Sequence, residues 1–201
     1  MNIAIFVSGN GSNLQALIEA EKAGALGKGR ITLVVCDNPK AFALERAKKS
    51  GIKSVLFEKK DFSSREVFDK AVIAELDKAG IEFIVLAGYL RILSDSFIDK
   101  YRGRILNVHP ALLPSFKGLN GIKDAFNYGV KLTGVTVHFV DRELDAGPVI
   151  FQGAVEIEAN DTLDTLETKV HKKEHELYPR AVRLFVEGRL CVEGRKVRIL
   201  E

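Results

Sequence analysis

A doubly wound, Rossmann-like α/β domain is the fold the sequence predicts, a mostly parallel sheet with helices on both faces. The C-terminal part is expected to add antiparallel strands and a long helix. Three observations predict it. Four short apolar runs, 3–7, 31–36, 53–57 and 83–86, alternate with helix-length amphipathic segments at βαβ spacing. The run 104–107 continues the series and leads, through Val108 and His109, to a strand-stopping Pro110. Beyond it, residues 135–139 alternate as a strand does, 149–157 form a second extended run after a turn, and 163–177 show helical spacing.

The elements follow in order. The first strand, 3–7, passes through Ser8-Gly9-Asn10-Gly11-Ser12-Asn13 into a helix with Leu14, Leu17 and Ile18 as its buried stripe. Residues 42–49 and 64–78 supply the next two helices, ending near Gly51 and Gly80. Helix-length intervals between parallel strands imply right-handed crossovers, which put helices on both faces. After Pro110 the chain is irregular to Gly118, then helical from Gly121 to Tyr128. Val135, Val137 and Phe139 alternate with Thr136 and His138, and 149–157 forms a second extended run. Asp161 or Thr162 can cap the last helix, whose stripe is Leu163, Leu166, Val170 and Leu177. Residues 190–192 and 196–200 pair as a hairpin around Glu193-Gly194. No repeat or linker divides the chain, so residues 1–201 read as one domain.

Composition limits the function classes. The chain has 201 residues, 46% hydrophobic, enough for one sizeable core. A net charge of +3 without a basic run disfavours a nucleic-acid partner. Cys36 and Cys191 are too few for a disulfide framework. The opening residues lack a signal peptide's basic segment, and no apolar run approaches the ~20 residues of a membrane span. A cytoplasmic protein with no membrane partner is the expectation.

The strand end at Asn107-Val108-His109-Pro110 carries the chemistry. Alternation puts Asn107 and His109 on one face at the sheet's carboxyl edge, where open α/β sheets bind ligands. An amide can hold a developing oxyanion, and an imidazole can hold or move a proton near neutral pH. Asp145, in Leu144-Asp145-Ala146-Gly147-Pro148, lies in a turn that could reach the same edge; its plainer role is a turn former. Beside His109 it would orient the ring and favour its charged form. The loop 8–13 offers backbone N–H groups and a helix N-terminus to an anion. Its structural alternative is an ordinary turn with Ser12 or Asn13 as N-cap. Leu14 stands where a dinucleotide fingerprint has its last glycine, which favours one phosphate over a nicotinamide cofactor. Glu174 falls on the apolar stripe of the last helix and needs a partner, either a substrate amine or a structural Arg or Lys. His171 to His175 spells the zinc pattern H-x-x-E-H, but two lysines inside it and no third ligand downstream argue against a metal.

Together the loop 8–13, Ala87-Gly88-Tyr89-Leu90-Arg91-Ile92-Leu93, Asn107-Val108-His109-Pro110 with Leu112-Leu113-Pro114, and 144–148 resemble the phosphoribosylglycinamide formyltransferases of purine synthesis. The Asn-x-His-Pro and Leu-Asp-x-Gly-Pro pair is shared by the wider formyltransferase superfamily. The resemblance implies transfer of the formyl group of 10-formyltetrahydrofolate, as co-substrate, to the amine of 5'-phosphoribosylglycinamide, with no metal. It implies an N-terminal half that binds phosphate and a C-terminal half that binds folate, in a monomer or homodimer. By position it gives Gly11, Ser12, Asn13 and Gly88 to the ribonucleotide, and His171, Lys172, Lys173 and Glu174 to its glycinamide end. Arg65, Leu90, Arg91, Ile92, Leu93, Asn107 and the loop Asp141, Arg142, Glu143, Leu144, Asp145 would hold the folate. Asn107, His109 and Asp145 would be catalytic, with His109 the proton donor. Ala111 departs from a more common serine, and Asn120 from a histidine. The alternatives are formylation of aminoacyl-tRNA or a nucleotide sugar, a non-catalytic phosphoribosyl-binding module, and a zinc hydrolase.

Overall fold

A computed structural model describes residues 1–201. β1 (Asn2–Val7), β2 (Arg30–Cys36), β3 (Lys53–Leu56), β4 (Phe83–Leu86) and β5 (Ile105–His109) pair in parallel, in the order β3-β2-β1-β4-β5. β4 is apolar and buried at every position, as a central parallel strand with both faces covered must be. Then the direction reverses. β6 (Leu132–Phe139) runs antiparallel to β5, β7 (Val149–Glu156) antiparallel to β6, and β8 (Leu190–Glu193) with β9 (Lys196–Ile199) closes a nine-stranded sheet as its edge hairpin.

Two apolar layers cover the faces. On one, α1 (Ser12–Lys22), α2 (Ala43–Lys49), α5 (Gly121–Tyr128) and α6 (Leu163–Val186) pack on the strands through Leu14, Leu17, Ala47, Ile122, Leu166 and Val170. On the other, α3 (Arg65–Lys78) and α4 (Asp95–Lys100) contribute Phe68, Val72, Leu76 and Phe97. Helices on both faces of a mostly parallel sheet, antiparallel strands after it and a long last helix are the predicted architecture.

Local chemistry explains the helix boundaries. Ser64 accepts from the N–H of Val67 and starts α3, and Thr162 caps α6 in a reciprocal box with Thr165. α4 is absent from the sequence reading: six residues after the cap Ser94 are too few to display a helical period. α6 is locked onto the sheet by Tyr178, fully buried, whose hydroxyl meets the carbonyl oxygens of Leu86 (2.8 Å) and Leu106 (3.0 Å). Those carbonyls stand at the carboxyl end of β4 and within β5, so α6 and these two strands are held in one frame. No helix is long and apolar enough to cross a membrane.

Candidate active site

β5 ends at His109 because Pro110 cannot continue the ladder. Asn107 and His109 share a face, as alternation requires, and open into a cavity of about 490 Å³ along the carboxyl edge of the sheet. The loop after Pro110 is held against β6 by Thr136, whose hydroxyl donates to the Ala111 carbonyl (2.7 Å) and accepts from the Leu113 N–H (3.0 Å). Ala111 is wholly buried, so this backbone bond anchors the loop at the position that departs from serine.

His109 is 3% exposed. Its Nε2 lies 2.8 Å from the Phe116 carbonyl, to which it donates, since a carbonyl only accepts. Nδ1 faces Asp145 Oδ2 at 3.5 Å, so each ring nitrogen has an acceptor before it. The same carboxylate oxygen accepts from the Gly118 N–H (2.8 Å), and Oδ1 stands 3.8 Å from His138 Nε2. Both segments that meet the ring carry backbone strain. Phe116 and Asp145 have φ of 51° and 50°, left-handed values costing an L-residue about 1–2 kcal/mol, though an aspartate tolerates them better. Strain of this kind persists where surrounding structure overdetermines a site. Gly147 makes the approach of the Asp145 turn possible: a Cβ there would fall 1.9 Å from the Phe139 carbonyl oxygen.

At the other end of the cavity Gly11, not Ser12 or Asn13, is the N-cap of α1. Its φ of 76° and the 2.7 Å that would separate a Cβ from that of Ala43 admit only glycine. No side chain caps the helix, leaving its first N–H groups open to an anion. Glu174, 3% exposed, finds neither an Arg nor a Lys. One oxygen accepts from Asn13 Nδ2 (2.9 Å) and meets His171 Nδ1 (2.9 Å), and this bond raises the His171 pKa above the ordinary value against a smaller opposing effect of burial. Asn13 Oδ1 is buried without a partner. The two histidines of H-x-x-E-H diverge: His171 lines the main cavity, while His175 lines a separate groove between α1, α2 and α6.

Gly88 and Leu90 to Leu93 form the opposite wall, tied to the start of the loop after β1 by the Leu90 N–H on Ser8 Oγ (2.9 Å). Leu90, Ile92 and Leu144 are more than half exposed, apolar surface that a flat ligand would cover. Arg91 stacks over the Phe68 ring at 3.8 Å. The loop 141–145 completes the rim, with Arg142 paired to Asp99 and Glu143 to Lys117 (2.9 Å). Three residues assigned by resemblance stay outside the lining. Arg65 opens α3 and pairs with Glu66 (3.8 Å); on α6, Lys173 pairs with Glu176 (2.7 Å) and Lys172 is exposed, and the helix turns these two lysines away from Glu174's face.

The sequence reading missed His138. It lines the cavity, 2% exposed, with Nε2 3.3 Å from Asn107 Nδ2 and Nδ1 2.8 Å from the Phe139 carbonyl. Burial, the main influence, pushes its pKa down. Its signal lay in the alternation of β6, where His138 takes the face opposite Val137, but nothing in the sequence set the register that pairs it with Asn107.

An amide, an imidazole and a buried carboxylate line one cavity of a doubly wound sheet, with an uncapped helix start at its far end, the set of groups that acyl-transfer chemistry calls for. The family described as Formyl transferase matches residues 1–182, and the chain belongs to it. Phosphoribosylglycinamide formyltransferase of Bacillus subtilis is 43% identical over 180 residues, covering 90% of this chain and 92% of that protein. The trifunctional purine biosynthetic protein adenosine-3 of Chironomus tentans is 44% identical over 92% of this chain, which spans 14% of that larger protein. The crystal structure of glycinamide ribonucleotide transformylase 1 from Symbiobacterium toebii superposes with a TM-score of 0.97 at 41% identity, covering 100% of this chain and 94% of that one.

Proposed function

We propose that the chain transfers the formyl group of 10-formyltetrahydrofolate to the amine of 5'-phosphoribosylglycinamide, a step of purine biosynthesis. The observation that carries this reading is the single cavity joining the uncapped start of α1 to Asn107, His109 and Asp145. The ribonucleotide phosphate sits on the N–H groups of Gly11 to Asn13. Glu174 and the unpartnered Asn13 Oδ1 accept from donor groups farther along the same substrate. Folate lies against Leu90 to Leu93 and the loop 141–145.

The amine then attacks the formyl carbon, and charge collects on its oxygen. An N–H of Asn107 stabilises that oxygen, joined by the His109 Nε2–H as it turns from the Phe116 carbonyl to the substrate. The bond from the carbon to the folate nitrogen breaks as the new C–N bond is kept, and the proton lost by the amine ends on the folate nitrogen. His109 and Asp145 move it, directly or through water. No metal takes part in any step. On the same reading residues 1–201 are one domain with a phosphate-binding N-terminal half and a folate-binding C-terminal half. The enzyme works in the cytoplasm on small molecules, as a monomer or homodimer.

Mixing the purified chain with both substrates and following release of tetrahydrofolate tests the proposal. Turnover that requires both substrates supports it. Binding of each without release of tetrahydrofolate would leave a phosphoribosyl-binding module instead.

A further inference from the structure

Antiparallel pairing sets Asn107 of β5 opposite His138 of β6, so the two side chains meet on the cavity face. The His138 ring is fixed by its own backbone. Nδ1 lies 2.8 Å from the Phe139 carbonyl, which can only accept, so Nδ1 carries the proton. The ring is 2% exposed and burial disfavours its charged form, so Nε2 keeps a lone pair. The titratable groups facing it are Asp145, whose Oδ1 at 3.8 Å is beyond hydrogen-bond reach, and His109 on the far side of that carboxylate.

A lone pair 3.3 Å from the end of the Asn107 side chain dictates which way the amide points. The NH₂ group must face His138, because the reverse orientation would press Oδ1 against Nε2 and leave two acceptors unsatisfied in a buried site. An NH₂ has two hydrogens, and His138 takes one.

We propose that His138 is a positioning residue for formyl transfer: its neutral Nε2 holds the Asn107 amide so that the second N–H is presented to the oxygen that becomes negative in the transition state. This rests on Asn107 being the oxyanion donor. The chain of cause runs from the Phe139 carbonyl, through the tautomer, to the amide. Sequence position alone would allow either amide orientation.

The test compares His138→Phe, which keeps the ring volume without an acceptor, with His138→Gln, whose side-chain oxygen reaches the place of Nε2. His138→Phe is expected to lower kcat about 10-fold or more, with KM for glycinamide ribonucleotide and 10-formyltetrahydrofolate held within about 3-fold, because the interaction matters only as charge develops. His138→Gln is expected to recover most of that loss. Introduced into Asn107→Ala, His138→Phe should cost nothing further, since the group it orients is gone. Wild-type kcat in His138→Phe, or the same fold loss in the Asn107→Ala background, would overturn the proposal. Nitrogen NMR of the wild-type protein gives a check that needs no variant: Nδ1 is protonated and Nε2 bare at neutral pH, and a proton on Nε2 would equally overturn it. Full activity of Asn107→Ala would instead remove the oxyanion reading on which this rests.

Discussion

Replacing Asn107 by alanine removes one amide and should produce two separable effects. The first is catalytic. Loss of one oxyanion donor typically costs about 10²–10³ in kcat, equivalent to about 2.7–4 kcal/mol of transition-state stabilisation. KM for either substrate should move little, because a formyl oxygen in the ground state carries too little charge to draw on the donor. The second effect is structural. Asn107 Nδ2 is the hydrogen-bond partner of His138 Nε2, and that ring is 2% exposed, so the truncation strands a buried acceptor at a cost of about 1–3 kcal/mol. For a chain of this length each kcal/mol lowers Tm by about 2–4 °C. Steady-state kinetics on both substrates and a thermal melt read the two effects independently. A variant that melts lower but turns over at the wild-type rate would refute the oxyanion role and leave Asn107 a structural residue.

Other perturbations reach different parts of the site. Gly147→Ala should displace the turn carrying Asp145, because the new methyl would fall 1.9 Å from the Phe139 carbonyl oxygen; lower kcat and lower Tm together are expected, and a wild-type melt would show the turn yields freely. The His171 pKa is raised by its bond to Glu174, so the pair stabilises the fold fully below the unfolded imidazole value of about 6.5 and progressively less as pH climbs through the higher folded value. The Tm advantage of wild type over His171→Gln should therefore shrink above about pH 6.5, with affinity for the ribonucleotide falling alongside; an advantage flat across neutral and alkaline pH would contradict this. Dialysis against a strong chelator should leave turnover unchanged, since His171 and His175 face different cavities and do not converge on a common point. Chelator-sensitive activity would reopen the metal reading.

Periodicity and punctuation carried most of the fold. Apolar runs at βαβ spacing, the cap Thr162 and the stop at Pro110 are local signals, each expressed within a few residues, and the elements formed where those signals lie. Alternation alone put Asn107 and His109 on one face. Helical spacing carried Glu174 to the buried stripe of α6, but could not name its partners. They are Asn13, 161 positions away, and His171, because α1 and α6 pack side by side over one face of the sheet. The resemblance of motifs supplied the candidate chemistry, whereas burial and helix phase decided which of its residues reach the cavity and left Arg65, Lys172 and Lys173 outside. Strand order and the reversal at β6 are likewise tertiary, set by which surfaces pack together. They alone brought His138 opposite Asn107, since register between strands 31 residues apart in sequence depends on pairing across the sheet and leaves no mark on either strand by itself.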